Sequence, residues 1–156
     1  NLTTNLEYEM QPLRKTCLSP AALLRQAAVQ CMEGWPEREE RITLDISPEA
    51  ERFRMMGDED LLLRAFFNIM ENSFRHGEKD CLVRAAAGED GKLVLVFLDS
   101  GPGISEEVRR FINEGIPAAV HVMGLKVVKQ IVTAHGGTLN LGEKEEGVVM
   151  ELPAGK

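Results

Sequence analysis

The sequence predicts an α+β fold: a two-layer α/β sandwich in which a mixed β-sheet is covered on one face by helices. Three observations lead there. Apolar spacing switches along the chain in the order helix, two strands, helix, two strands, two helices, two strands. The run Leu93-Val94-Leu95-Val96-Phe97-Leu98 is apolar almost without interruption and reads as a strand buried on both faces. Residues 58–76 form one long amphipathic helical stretch, and the 156 residues of the chain suffice for one well-buried domain but not for two ordinary ones.

Leu2, Leu6, Met10 and Leu13 recur at helical spacing until Pro12 and the polar residues after it break the pattern, so the start reads as the tail of a longer helix. Ser19-Pro20 has the form of an N-cap with proline in the first turn, and Leu23, Leu24, Ala27, Ala28 and Cys31 then make an apolar face that ends at Gly34. Ile42, Leu44 and Ile46 alternate with polar residues, Ser47-Pro48 reads as a turn, and Arg52 to Met56 reads as a second strand, which together predict a hairpin. Gly57-Asp58 opens the long helix, Asp58, Glu59 and Asp60 suit the positive end of its dipole, and Gly77 stops it. Cys81 to Ala87 and Lys92 to Leu98 pair around Gly88-Glu89-Asp90-Gly91. Ser105 to Glu114 predicts a short helix, Gly115-Ile116-Pro117 interrupts it, and Val122 to Ala134 predicts another that ends at Gly136-Gly137. Thr138 to Leu141 and Val148 to Leu152 close the chain as a hairpin.

Composition excludes several classes. Acidic residues outnumber basic ones 25 to 18, for a net charge of -7, which argues against nucleic acid as a partner. No apolar run approaches the ~20 residues of a membrane span, and residues 1–10 lack the order of a signal peptide. Cys17, Cys31 and Cys81 are odd in number and far apart, so neither a disulfide framework nor a zinc site is expected, and a reducing cytoplasm fits. The opening at Asn1 suggests a piece of a longer protein. His121 and His135 have no Asp, Glu or Cys at ligand spacing and read as surface or loop residues.

The residues with chemistry gather at three places. Arg64, Asn68, Asn72 and then Arg75 or His76 fall three or four apart, on one stripe of the long helix. Such a stripe is ordinarily just the solvated face of an amphipathic helix. Asparagine, however, is a poor helix former, its amide oxygen is a hard ligand suited to Mg²⁺, and Arg75 and His76 one turn on suit phosphate oxygens. Asp99-Ser100-Gly101-Pro102-Gly103 follows the most apolar strand, so a carboxylate able to accept from an exocyclic amino group stands beside glycines that allow close approach to the backbone. Gly124-Leu125 opens a helix, where free N–H groups can receive a phosphate.

Taken in order, Asn68-Ile-Met-Glu-Asn72-Ser-Phe-Arg75-His76, Asp99-Ser-Gly101-Pro-Gly103-Ile104, and Gly124-Leu125 with Val128 to Gly137 resemble the motifs of the histidine-kinase-type ATPase family, whose fold is the Bergerat ATP-binding fold. The likeness spans about residues 19–152 and is greatest to the catalytic ATP-binding domain of a bacterial sensor histidine kinase. It implies binding of ATP with Mg²⁺. By position, Asn72 resembles the Mg²⁺ ligand, Arg75 and His76 the phosphate contacts, Asp99 the adenine-reading carboxylate, and Gly101, Gly103, Ile104, Gly124 and Leu125 the remaining nucleotide contacts. Asn68 stands where hydrolytic relatives keep a water-activating Glu; an amide cannot accept that proton, so the resemblance implies phosphoryl transfer rather than hydrolysis.

The resemblance implies more about the parent protein. Residues 1–16 would be the tail of a dimerisation helix with its linker, and residues 17–156 the ATP-binding domain. The phosphoacceptor histidine would lie on a dimerisation domain of the same parent, a homodimer anchored in the bacterial inner membrane with this domain in the cytoplasm, and a response regulator would be the indirect partner. Two departures motivate other readings. Val122 stands where the family has glycine, and the span from Phe111 to His121 is short for a nucleotide lid. A degenerate nucleotide-binding or interaction module is therefore one alternative, and an anti-sigma-type serine kinase of the same fold another.

Overall fold

The computed structural model describes residues 13–34, 42–76, 81–99, 113, 123–141 and 147–154. The predicted helical tail, up to residue 12, and the predicted helix over 105–114, Asn113 apart, lie outside them. In chain order the elements are β1 (Lys15–Leu18), α1 (Pro20–Gly34), β2 (Ile42–Ile46), α2 (Pro48–Arg52), β3 (Met55–Asp58), α3 (Glu59–His76), β4 (Cys81–Ala87), β5 (Leu93–Asp99), α4 (Met123–Ala134), β6 (Thr138–Leu141) and β7 (Val148–Leu152).

Five strands form one mixed sheet in the order β2-β4-β5-β7-β6, with β2 parallel to β4 and the other pairs antiparallel. Alternation decides which face is covered. Val83, Ala85, Leu95, Phe97, Met150, Val148, Leu139 and Leu141 are buried and are matched across the strands by register, so they make one continuous apolar layer. Against this layer lie α1, α3 and α4, with α3 in the middle and packed on both of the others. In α3 the buried residues Leu62, Ala65, Phe66, Ile69 and Met70 recur at helical spacing. Burial also acts on chemistry here: desolvation pushes the Cys31 thiol up to about 12, leaving it an inert core residue.

The sequence expectation fails in four places. Residues 47–56 form no hairpin. Ser47 instead caps a short helix: its Oγ accepts from the Ala50 N–H at 3.1 Å, Pro48 fills the first turn, and Arg54 donates to the Glu51 and Phe53 carbonyls as the chain leaves. Arg25 of α1 and Glu51 of α2 are joined as an exposed ion pair. The strand that follows, β3, pairs antiparallel with β1, a strand for which the sequence shows no alternation. β5 is buried on one face only, since Val94, Val96 and Leu98 are half-buried on the open side of the sheet while Leu93, Leu95 and Phe97 are in the core. His135, expected on the surface or in a loop, stands in the turn after α4 but is buried, at 6 % exposed.

At the end of α4, Gly136 has φ +79°, its N–H donates to the Thr133 carbonyl, and the Gly137 N–H donates to the Val132 carbonyl. This is the paired closure expected of a glycine C-cap. Among the described residues no helix is long and apolar enough to cross a membrane.

Candidate nucleotide site

The centre of the candidate site is set by packing in the core. The rings of Phe66 on α3 and Phe97 on β5 meet with centroids 6.4 Å apart, tilted at 37°. Asn68 is two residues beyond Phe66, half-buried at the margin of the helix's core face. Asp99 is two residues beyond Phe97 and ends its strand, at the position paired with buried Cys81. One aromatic contact thus ties the stretch of α3 that carries Asn68 to the end of the strand that carries Asp99.

A second constraint comes from the opposite end of α3. His135, just past α4, has Nε2 2.9 Å from the Asp58 backbone N–H, and Asp58 immediately precedes α3. The C-terminus of α4 therefore meets the N-terminus of α3, and the two packed helices run antiparallel. Gly124 lies eleven residues from His135, about 16 Å at ~1.5 Å per residue, while Asn68 and Asn72 lie about 15 and 21 Å from Asp58. Gly124 and Leu125 are accordingly level with the two asparagines, and Leu125 is half-buried.

Not every expected site residue falls within the description. Asn72, Arg75 and His76 are on the helical backbone of α3, in its last two turns. Gly101, Gly103, Ile104, Val122 and the span 111–121, Asn113 apart, lie outside the described residues. Among the described residues no cluster of His, Cys, Asp and Glu could hold a metal by itself.

Three residues with structural work were missed in the sequence. Asp58 accepts the Leu61 N–H at Oδ1 (3.2 Å) and the Arg14 N–H at Oδ2 (3.1 Å), so one carboxylate caps α3 and holds the chain just before β1. Its acidity at a helix start is legible; its bond to Arg14 is not. His135 was read as a surface or loop residue because ligand spacing was the signal sought, whereas its partners are a backbone N–H far away in sequence and its own helix. Asn113 donates to the Leu141 carbonyl (2.9 Å) and accepts the Leu141 N–H (2.8 Å), a side chain imitating a neighbouring strand at the edge of β6.

With this geometry in place, residues 57–155 match the family described as histidine kinase-, DNA gyrase B-, and HSP90-like ATPase, nearly two thirds of the chain. The chain belongs to this ATPase family. Among curated members it is 31% identical over 112 residues to the signal transduction histidine-protein kinase BaeS of Escherichia coli (strain K12), covering 64% of this chain and 24% of that protein. To the histidine-protein kinase/phosphatase MprB of Mycobacterium leprae it is 28% identical over 120 residues, 71% of this chain and 23% of the other. The chain thus spans about a quarter of the length of these relatives. Its fold is that of the catalytic domain of histidine kinase ThkA, with a TM-score of 0.77 at 21% identity, covering 92% of this chain and 97% of that one. Full-length ShkA, solved in complex with AMPPNP, gives a TM-score of 0.76 at 23% identity, covering 94% of this chain and 32% of the other.

Proposed function

We propose that this ATPase-family chain is the catalytic ATP-binding domain of a two-component sensor histidine kinase. It binds Mg·ATP and donates the γ-phosphoryl group to a histidine on a dimerisation domain of its parent, a membrane-anchored homodimer that in turn supplies a response regulator. The observation that carries this reading is the Phe66–Phe97 contact, because it ties Asn68 on α3 to Asp99 at the end of β5. The kinase relatives and the likeness to an AMPPNP-bound kinase support it.

The residues present fit the nucleotide. An acidic residue closes an otherwise apolar strand, which suits a flat base with one amino group to read. Asn72 would hold Mg²⁺ through its amide oxygen, Arg75 and His76 would meet the phosphates, and the first N–H groups of α4 at Gly124 and Leu125 would take a phosphate oxygen. Bound Mg·ATP supplies the transferable phosphoryl group and neutralises the charge that develops on it. The chain's own contribution is positioning. Asn68, unable to accept a proton, leaves water unactivated and so favours transfer to a histidine.

Titration of Mg·ATP against the wild-type chain, Asn72→Ala and Asp99→Asn tests the assignment. Each variant loses a hydrogen-bonding or ligand group worth about 1–3 kcal/mol, so affinity falls by roughly fivefold to 150-fold. Equal affinity in all three proteins refutes the site. Failure of a competent domain to phosphorylate the dimerisation domain of the same parent refutes the kinase reading.

A further inference from the structure

We propose that His135 is a positioning residue for the nucleotide-binding face: it fixes the lengthwise register of α4 against α3 through the backbone of β3. The inference rests on the ATP-binding reading above.

Nδ1 of His135 is 2.8 Å from the Ile131 carbonyl, which can only accept, so Nδ1 carries the proton. Nε2 is then a bare acceptor, and the Asp58 N–H donates to it at 2.9 Å. The buried ring is neutral and satisfied at both nitrogens, each by a different element. α4 does not need the imidazole in order to end, because Gly136 and Gly137 already close the last carbonyls. What the ring adds is the bond to Asp58. That residue's carboxylate also holds Leu61 in the first turn of α3 and Arg14 ahead of β1. The backbone is shaped to admit the ring: a Cβ on Gly57 would lie 3.1 Å from His135 Cδ2 and 2.9 Å from Leu62 Cδ1.

The consequence follows from helix geometry. Two antiparallel helices pinned at one end have a fixed level at the other, and here the free end of α4 carries Gly124 and Leu125 beside the turns of α3 that carry Asn68 and Asn72. A slip of one helical turn would be about 5.4 Å, and slips far smaller than that spoil a phosphate site. The junction also includes Arg14, so the incoming chain and both nucleotide-binding helices share one small polar knot.

Paired substitutions separate positioning from simple support. In His135→Gln the side-chain carbonyl oxygen can replace Nε2 as the acceptor for Asp58, whereas His135→Asn keeps only a donor near the Nδ1 position and falls short of β3. Gly57→Ala perturbs the same junction from the other side by crowding the ring. The readouts are Mg·ATP affinity, from displacement of a fluorescent nucleotide, and the thermal midpoint of the nucleotide-free full chain. His135→Asn and Gly57→Ala are expected to weaken Mg·ATP binding roughly tenfold or more, with His135→Gln recovering most of the loss. The proposal is overturned if all three variants lower the midpoint while binding Mg·ATP within about threefold of wild type, or if Gln and Asn weaken binding equally. A wild-type chain that itself fails to bind Mg·ATP overturns the functional reading and this inference together, and is recognised by that control alone.

Discussion

Gly136 and Gly137 stand side by side after α4, yet alanine should act on them through different physics. Gly136 has φ +79° and open surroundings, since an added Cβ would find only Pro153 Cγ at 3.6 Å. Its replacement therefore introduces left-handed backbone strain of about 1–2 kcal/mol, partly offset by about 0.4–1 kcal/mol from a stiffer unfolded chain. The net loss is about 1 kcal/mol. Gly137 is not in the left-handed region, but its Cβ would lie 2.2 Å from the Glu151 carbonyl and 3.0 Å from Val132 Cγ1. Relief of that overlap needs a backbone shift of about 1 Å in β7, where Glu151 is paired with Val94 on one side and Thr138 on the other. Overpacking of this kind costs about 1–3 kcal/mol, and the rigidity of a paired strand places Gly137→Ala at the upper end, about 3 kcal/mol. At ~2–4 °C per kcal/mol for a chain of this size, Gly137→Ala should lower the melting temperature by about 6–12 °C and Gly136→Ala by about 2–4 °C. Calorimetry and urea unfolding of the two single variants measure the difference. If Gly136→Ala proves the more harmful, or Gly137→Ala melts within a degree or two of wild type, the packing argument is wrong.

Three further outcomes are expected. Burial lowers the His135 pKa from its ordinary 6.5, with Ile131 and Asp58 opposing the shift and Lys15 adding to it. The unfolded chain therefore takes up the proton first, so stability is full above about pH 6.5 and falls as pH drops toward the folded-state pKa. Urea unfolding at stepped pH should show that fall in wild type and a smaller one in His135→Gln; identical pH profiles contradict it. Asn113→Ala leaves the Leu141 N–H and carbonyl without their partner, a loss of about 1–3 kcal/mol that hydrogen exchange should register as faster exchange at the Leu141 amide. Unchanged protection there refutes the clamp. Asn68→Glu restores a proton acceptor, so phosphate release from ATP in the absence of any acceptor domain should rise about tenfold or more. A variant that binds ATP but hydrolyses it no faster removes Asn68 from the assignment.

Most of the sandwich was legible because local pattern and tertiary environment agree along it. α3 shows its apolar stripe, acidic start and terminal Gly77 directly in sequence, and the β4–β5 and β6–β7 pairs are bounded by turn residues. The misreadings fall where a residue's partner is remote. Lys15–Leu18 is too short for a periodic signal, and its partner β3 comes some forty residues later. Ser47-Pro48 serves equally well as a turn or a helix start, and only the bond from the Ala50 N–H decides. Val94, Val96 and Leu98 gave β5 a doubly buried appearance although, among the described residues, helices cover one face alone. His135 shows the same limit at the level of function, because neither of its hydrogen-bond partners is a side chain. The candidate site was legible as three motifs in order, whereas the Phe66–Phe97 contact and the antiparallel pairing of α3 with α4 required the fold.

The central claim is that Asp99, closing β5, reads the base of the same nucleotide whose phosphates reach α3. Comparing ATP with inosine triphosphate tests it most directly, because the two differ at the exocyclic group that a carboxylate would accept from. The wild-type chain is expected to bind ATP roughly tenfold or more tightly than the inosine nucleotide, and Asp99→Asn to remove the preference. Equal affinity of the wild-type chain for both nucleotides, or a preference that survives in Asp99→Asn, would contradict it.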